Sequence, residues 1–373
     1  MKRILFLVSS MHGGGAERVA ALLCNHWAAS GFEVILMPTF SGRGTCFYKL
    51  NHGVRIEFLA DRAKLGKNPF LGKIRRLLAL RKAISEYKPD VIVSFLSDVN
   101  IATLLATYFL KFPVVVSERI YPPSLPLGGL MNKLRRITYP RAKAVVMQTG
   151  KGLDWLSANC PGSNGCVIPN PVVFPIPATE PKVDPRSVLK PDRKLIITVG
   201  RLENQKGFDI LIDAYARLAE DFPDWDLVVL GEGSEREHLE EQIKQKGLSS
   251  RFFLPGRVGN MGDWYARSDF FVMSSRFEGF PNVLVEAMAY GKPAVSFDCD
   301  TGPADIIENE VNGFLVSPEE GEQGLSRAMG KMIGEEKKRM LMSKSSQLVR
   351  QRFSIDRIAN EWKQVLGLGD EKK

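Results

Sequence analysis

The chain has 373 residues, of which 44% are hydrophobic and 25% are charged, and these proportions exclude wholesale disorder. This length exceeds one ordinary hydrophobic core and suits two domains. The net charge of +9 is uneven, because residues 1–175 carry 23 Lys and Arg against 9 Asp and Glu, whereas the remainder carries 28 against 33, so we expect only the first half to meet a large anionic partner.

The chain begins with Met1–Val8, whose apolar run is too short for a signal peptide and predicts a first β-strand. The apolar segment Val99–Leu110 ends at Lys111 before it could cross a bilayer, so we expect no membrane span. Five cysteines without a CxxC pair predict reduced thiols and a cytoplasmic protein. Because the basic residues come without aromatic platforms or a readout motif, we expect no nucleic-acid partner.

Short β-branched runs alternate with amphipathic helical stretches, which predicts parallel sheets with crossover helices. The predicted strands are 3–8, 33–37, 90–94, 114–117 and 144–148 in the first half, and 195–199, 227–230, 252–254, 270–273, 294–297 and 314–316 in the second. Between them, residues 168–191 contain seven prolines and no periodicity. We therefore predict an α/β fold of two doubly wound domains, residues 1–170 and 192–354, joined by a linker at 171–191 and facing across a ligand cleft.

The first glycine-rich loop, Gly13-Gly14-Gly15, lies between the first strand and a helix. Backbone N–H groups at such a helix N-terminus can bind an anion. A dinucleotide site would need glycine where the chain has Arg18 and an acidic residue where it has Met37, so a nicotinamide cofactor is disfavoured. A plain tight turn remains the alternative.

The segment Phe70–Ile84 has the pattern of a basic amphipathic helix. Its apolar residues Ile74, Leu77, Leu78 and Ile84 are predicted on one side, largely opposite the cations Lys73, Arg75, Arg76 and Lys82. A second basic cluster contains Lys133, Arg135, Arg136 and Arg141. Such elements suit an anionic membrane surface or the diphosphate of an acceptor, whereas an ordinary solvated helix is the alternative.

The second half opens with Gly200-Arg201-Leu202-Glu203-Asn204-Gln205-Lys206-Gly207, again a strand leading into a helix. Arg201 and Lys206 lie on either side of the turn, so both cations could converge on a pyrophosphate at the carboxyl edge of the sheet. Two solvated loop charges are the alternative.

Two glutamates, Glu278 and Glu286, flank the turn Phe280-Pro281-Asn282 after a later strand of the same sheet. Asn282 is predicted to cap the helix that follows, with free backbone N–H groups directed at a ligand. Glu286 would suit ribose hydroxyls and Glu278 a sugar. The alternative is that both carboxylates simply complement the helix dipole.

Four segments together resemble the retaining glycosyltransferases of family 4, which have the GT-B architecture. They are GRLENQKG at 200–207, LGEG at 230–233, EGFPNVLVEAMAYGKPAV at 278–295 and GPADIIENEVNGFLV at 302–316. The N-terminal GGGAERV at 13–19 is similar to the subgroup that builds bacterial lipid-linked oligosaccharides and surface polysaccharides, including N-acetylgalactosaminyltransferases of protein glycosylation.

The resemblance implies a role for each matching residue. Arg201 and Lys206 would hold the nucleotide's pyrophosphate and act in catalysis with Glu278, which would lie beside the donor sugar. The other implied donor-binding residues are Gly15, Val258, Phe280, Pro281, Asn282 and Glu286. The resemblance also implies transfer with retention, and no metal or other cofactor is expected, since cationic side chains and helix N-termini can stabilise the leaving diphosphate.

One departure from the family lies after the strand that ends near Ser117. Many members have a His there, whereas this chain has Glu118 and Arg119, which we consider as substitutes in binding the sugar or acceptor.

The expected function is therefore transfer of a hexose or N-acetylhexosamine from a UDP-sugar to a glycan acceptor linked to polyprenyl diphosphate. Such an enzyme would work peripherally on the cytoplasmic face of the inner membrane. A sugar-nucleotide epimerase of the same architecture and a non-catalytic glycan-binding protein are the alternatives. The C-terminal segment 355–373 is expected to pack back onto the first domain through Ile358, Trp362 and Leu366.

Overall fold

The computed structural model describes residues 1–40, 46–63 and 69–369. The chain divides into two compact units. The first contains residues 1–171 and 355–373, and the second contains Val172–Ser354.

The first unit is built on a parallel β-sheet with helices between its strands. Its described strands are β1 (Arg3–Val8), β2 (Glu33–Pro38), β3 (Val54–Ile56), β4 (Val91–Phe95), β5 (Val114–Ser117), β6 (Ala144–Met147) and β7 (Gly165–Val167). Its described helices are α1 (Gly15–Ala29), α2 (Leu59–Arg62), α3 (Pro69–Tyr87), α4 (Ser97–Ala106), α5 (Gly129–Thr138), α6 (Gly150–Asn159) and, from the C-terminal segment, α15 (Ile355–Leu366). The sheet order is β3-β2-β1-β4-β5-β6-β7.

The central strands of this sheet are nearly continuous apolar runs because helices cover both faces. Strand β4 is buried along its whole length, and β1 is buried from Ile4 to Val8. This pattern is typical of a parallel sheet, in which neither face meets water.

Helix α15 is part of the core of the first unit, although it follows the second unit in the chain. Trp362 is fully buried and packs edge-on against Trp27 of α1, with ring centroids 6.4 Å apart. Its ring also lies 5.7 Å from that of Phe95 in β4. The apolar stripe predicted at Ile358, Trp362 and Leu366 is buried in the same cluster.

The second unit repeats the architecture with another parallel sheet. Its described strands are β8 (Lys194–Val199), β9 (Trp225–Leu230), β10 (Phe252–Gly256), β11 (Phe270–Met273), β12 (Ala294–Phe297) and β13 (Gly313–Val316). Its described helices are α7 (Phe208–Ala216), α8 (Arg236–Gln245), α9 (Met261–Arg267), α10 (Asn282–Ala289), α11 (Pro303–Ile306), α12 (Gly321–Gly334), α13 (Glu336–Ser346) and α14 (Val349–Arg352). The sheet order is β10-β9-β8-β11-β12-β13.

The proline-rich segment predicted as a linker at 171–191 is instead packed into the second unit from residue 172 onwards. Val172 and Leu189 are buried in its hydrophobic core. The backbone N–H of Thr179 donates to the carbonyl of Gly259 over 2.9 Å. The segment lacks periodicity because it lies along the unit in irregular form, not because it is detached.

The predicted fold class is confirmed, since both units are doubly wound parallel-sheet domains. The short strands β3 and β7 were missed, and both lie at edges of the first sheet. Among the helices that the structure describes, none has the length and apolar character needed to cross a membrane.

Candidate functional site

The predicted donor-binding residues of the second unit lie in loops at one edge of its sheet. Arg201 and Lys206 follow β8, Val258 follows β10, and Glu278 follows β11. Because β8 and β11 are neighbours in a parallel sheet, the loops after them begin side by side at the carboxyl edge. This is where ligands bind in doubly wound sheets.

Lys206 and Glu278 form an ion pair between these two loops. Lys206 Nζ donates to Glu278 Oε1 over 2.5 Å, and both side chains are mostly buried. The hydroxyl of Ser275 donates to the same oxygen over 2.7 Å. Glu278 Oε2 accepts no hydrogen bond from any residue that the structure describes, so this oxygen is available to a ligand.

The backbone of Glu278 is also fixed in place. Thr301 Oγ1, in the loop after β12, donates to the Glu278 carbonyl over 2.6 Å. Gly302 has φ +101° and lies so close to the turn that a Cβ atom there would be 2.6 Å from Pro281 Cδ. Only glycine fits this position without strain. The predicted turn at 280–282 is therefore supported from a third loop.

The loops after β8 and β11 are joined by contacts that sequence reasoning missed. Arg276 donates to both carboxylate oxygens of Asp209, over 2.9 and 2.6 Å, and to the carbonyl of Asn204 over 2.7 Å. Gln205 Nε2 donates to the Phe277 carbonyl over 3.0 Å. In the sequence, only the position of Ser275 and Arg276, between the end of β11 and Glu278, could have indicated that they belong to the site.

Arg201 does not share the environment of Lys206. Its side chain is 62% exposed and pairs with Glu203 over 3.1 Å. The structure thus brings Lys206 and Glu278 together, whereas the convergence of Arg201 and Lys206 on one anion stays a prediction.

Glu286 lies in the second turn of α10 and is buried. Its Oε2 is 3.5 Å from the hydroxyl of Tyr265, which also lies 3.3 Å from the carbonyl of Val283. The prediction that Asn282 caps this helix is wrong, because Asn282 is its first helical residue and the N-cap is Pro281. Proline offers no side-chain acceptor, so the first N–H groups of α10 have no cap from the N-cap side chain.

Two further predicted donor-binding residues, Phe280 and Val258, lie in loops of the second unit. Phe280 is buried, and its ring packs edge-on against that of Phe353 with centroids 5.3 Å apart. Val258 is partly buried in a loop held by the hydrogen bond from Gly259 N–H to the Pro181 carbonyl, 2.6 Å long.

Gly15 belongs to the first unit and opens α1 there. The carboxylate of Glu17 lies close to the N-terminus of this helix. A Cβ atom built on Gly14, the N-cap residue, would be 2.3 Å from Glu17 Oε2. The hydroxyl of Ser10 donates to the other oxygen of Glu17 over 2.9 Å. Glu17 thus stands beside the glycine-rich loop that was predicted to bind an anion.

Glu118 and Arg119 are buried in the first unit, with exposed fractions of 3% and 7%. Glu118 accepts hydrogen bonds from the hydroxyls of Ser97 and Tyr139. The Arg119 guanidinium donates to Asn170 and lies 4.3 Å from the centre of the Phe95 ring. Burial lowers the pKa of Arg119 to about 9. Both side chains are occupied by internal partners, which does not favour the predicted contact with a sugar or acceptor.

Three of the four cations predicted to face a membrane or acceptor from α3 are exposed at its surface. Lys73, Arg75 and Lys82 are exposed, whereas Arg76 is half-buried and lies 5.4 Å from the centre of the Phe40 ring. The predicted apolar side needs correcting. Ile84 is fully buried, but Ile74 and Leu78 are 44% and 60% exposed, because at about 100° per residue they lie on a different face of the helix from Ile84.

Comparison with known proteins gives two family matches that together span most of the chain. Residues 13–173 match the model described as Glycosyltransferase Family 4, and residues 180–349 match the model described as Glycosyl transferases group 1.

Two bacterial relatives align along nearly the whole chain. A Campylobacter jejuni protein named GalNAc-alpha-(1->4)-GalNAc-alpha-(1->3)-diNAcBac-PP-undecaprenol alpha-1,4-N-acetyl-D-galactosaminyltransferase is 27% identical, over 98% of this chain and 98% of its own. The amylovoran biosynthesis glycosyltransferase AmsD of Erwinia amylovora is 25% identical, over 98% of this chain and 100% of its own.

Solved structures show the same fold. Anabaena Alr3699/HepE in complex with UDP has a TM-score of 0.81 at 21% identity, covering 99% of this chain and 100% of that chain. Sucrose-phosphate synthase from Thermosynechococcus elongatus also reaches 0.81, at 17% identity and with 99% of both chains covered.

Proposed function

Because this chain belongs to the glycosyltransferases that combine a family 4 domain with a group 1 domain, we propose that it is a retaining, metal-independent enzyme using a UDP-sugar donor. It transfers a hexose or N-acetylhexosamine to a glycan acceptor. The proposed acceptor is an oligosaccharide linked to polyprenyl diphosphate, and the product enters bacterial glycan biosynthesis.

The observation that carries this proposal is the Lys206–Glu278 pair at the carboxyl edge of the second sheet. An entering diphosphate offers Lys206 a second anionic partner, and a cation in a mostly buried site stabilises the negative charge that develops on the leaving diphosphate. Glu278 keeps Oε2 for the hydroxyls of the donor sugar. Lys206 and Glu278 thus lie side by side, so that one can bind the diphosphate of the donor and the other its sugar.

The donor assignment rests on further residues of the same unit. In the proposal, Glu286 binds the ribose, the backbone at Val258 meets the base, and the N–H groups at the start of α10 lie near sugar or phosphate oxygens. The choice of uridine is supported by the UDP present in the Anabaena HepE structure, which shares the fold.

The acceptor assignment rests on the relatives and on charge. The Campylobacter jejuni relative is named for an acceptor linked to undecaprenol through a diphosphate. In the proposal, the exposed Lys73, Arg75 and Lys82 of α3 attract an anionic membrane surface or the acceptor's diphosphate, and the enzyme works peripherally at the cytoplasmic face of the inner membrane.

Thermal unfolding with and without UDP tests the donor site. UDP is expected to raise the melting temperature, because a ligand that binds only the folded state stabilises it. Lys206→Met should weaken UDP binding roughly 10-fold to 100-fold, as expected for loss of a hydrogen bond to a charged group. A melting temperature that no nucleoside diphosphate changes would contradict the proposal.

Incubation with UDP-sugars, with and without an acceptor, distinguishes the transferase from an epimerase of the same architecture and from a non-catalytic glycan-binding protein. An epimerase would interconvert UDP-sugars without an acceptor, and a binding protein would leave them unchanged. The transferase should release UDP in proportion to acceptor consumed.

A further inference from the structure

A groove in the first unit lies outside the proposed donor site and has a volume of about 490 Å³. One wall is formed by Pro122, Pro123 and Pro126, from the segment between β5 and α5. Helix α5 contributes Lys133 and Arg136, and α6 contributes Trp155. The groove is therefore built from three consecutive segments of one domain.

The charge of this groove is of one sign. No acidic side chain lines it, and neither Lys133 nor Arg136 forms an ion pair with any residue in the described parts of the chain. Both side chains are exposed. Two unpaired cations in a concave site favour an anionic ligand, since the opposite wall carries nothing to neutralise them.

The inner wall of the groove is rigid. The Arg135 guanidinium stacks over the Trp155 ring at 4.5 Å and donates to Asn132 Oδ1 over 2.6 Å. Arg135 also lies 3.5 Å from Glu118 Oε1, and both of these side chains are buried. Glu118 thus helps to hold Arg135 in the wall of this groove.

Large apolar side chains near Lys133 in the sequence face solvent. Leu130 is 72% exposed and Ile137 is 56% exposed, on the same helix as Lys133. Positions 130, 133 and 137 have the spacing of one helical face. Leu125, just before α5, is 55% exposed. Exposed leucine and isoleucine next to cations suit the boundary between lipid headgroups and acyl chains.

We propose that this groove binds the phosphate of an anionic phospholipid headgroup, with Leu130 and Ile137 entering the interface of the bilayer. The proposal rests on the membrane association included in the proposed function and adds to it a headgroup site on α5, separate from the cations of α3. Free inorganic phosphate has the same charge chemistry but cannot use the apolar rim.

Dihexanoyl phosphatidylglycerol below its micelle concentration tests the site in solution, followed by tryptophan fluorescence. Trp155 is a suitable reporter because Trp27, Trp264 and Trp362 are fully buried and Trp225 nearly so. We expect saturable binding that disappears from the fluorescence signal in Trp155→Phe. The variant Lys133→Gln/Arg136→Gln should bind roughly 25-fold more weakly, since each charge removed should cost a factor of about five.

The matched control is Lys49→Gln/Lys151→Gln, which removes the same charge from exposed positions of the same domain outside the groove and should bind like the wild type. Dihexanoyl phosphatidylcholine and inorganic phosphate at equal ionic strength should bind much more weakly. Unchanged phosphatidylglycerol binding in the groove variant, or equal binding of inorganic phosphate, would overturn the proposal. The effect of UDP on the melting temperature, measured in the same variants, reports separately on the donor site.

Discussion

At the scale of single residues, the site depends on one carboxylate held by two donors. Lys206 and Ser275 both donate to Glu278 Oε1, which fixes the orientation of the carboxylate and leaves Oε2 for a ligand. A glutamate with one oxygen restrained in this way is preorganised, so it loses little conformational freedom when a sugar binds.

Replacing Glu278 with Gln should lower turnover on the order of 100-fold or more, because the carboxylate that the proposal places beside the reacting sugar is lost. UDP affinity should change by less than about fivefold, since the nucleotide is held by other groups. Steady-state kinetics and UDP titration measure the two effects. Glu203→Gln, which alters the exposed partner of Arg201, is the control and should retain turnover. Equal losses of turnover and UDP affinity in Glu278→Gln would argue against its role.

A second prediction concerns the Asp209–Arg276 pair, which joins the first turn of α7 to the loop after β11. Burial acts to raise the pKa of the Asp209 carboxyl, but the Arg276 guanidinium outweighs it and holds that pKa below its ordinary value. The pair therefore stabilises the fold above the carboxyl's pKa in the unfolded chain, and this stabilisation is lost as pH falls through the lower pKa of the folded state.

Melting temperatures of the wild type and Asp209→Asn between pH 7 and pH 3 test this sign. The variant should melt at a lower temperature at pH 7, and the difference should shrink as the solution is acidified. A difference that grows on acidification would show that the pair does not have this effect.

At the scale of elements, buried apolar periodicity made the central strands predictable. The predicted 3–8, 114–117, 270–273 and 294–297 agree with β1, β5, β11 and β12 to the residue. Strands β3 and β7 have three residues each, which is too short for a pattern, and they are defined by pairing with β2 and β6.

Motif spacing likewise placed Lys206 and Glu278 at one sheet edge. It could not show that Arg201 pairs with Glu203, because side-chain conformation on an exposed loop leaves no pattern in the sequence. Nor could it show that Glu118 is buried, because its partner Arg135 is distant in sequence. The linker was mispredicted for the same reason, since its buried contacts are with α9 and the loop before it.

Helix α15 provides a test at this scale. Trp362→Ala removes a fully buried indole between Trp27 and Phe95, and loss of such a side chain costs about 3–5 kcal/mol of unfolding free energy. Urea denaturation should show this loss in the transition of the first unit. Gln364→Ala, at an exposed position of the same helix, should leave the transition unchanged. A Trp362→Ala protein as stable as the wild type would contradict the packing described.

At the scale of the whole molecule, the chain enters and leaves the second unit at neighbouring points. Val172 pairs with Ser354 in a β-bridge, and the N–H of Val172 donates to the carbonyl of Phe353 over 2.7 Å. Along the chain, the second unit is thus inserted between residue 171 and α15 of the first unit. The excess of basic residues lies in the first unit. The proposed donor site lies in the second unit, where Lys206 supplies its cation.

The most direct test of the transferase assignment is a panel of nucleotide sugars offered with a polyprenyl-diphosphate-linked oligosaccharide, with the product analysed by mass spectrometry and NMR. We expect that one UDP-sugar is consumed and that the acceptor gains one or more sugar residues. The new linkage should keep the anomeric configuration of the donor, without added metal and in the presence of a chelator. An inverted linkage would contradict the retaining mechanism, and absence of transfer from every nucleotide sugar together with absence of UDP binding would contradict the central claim.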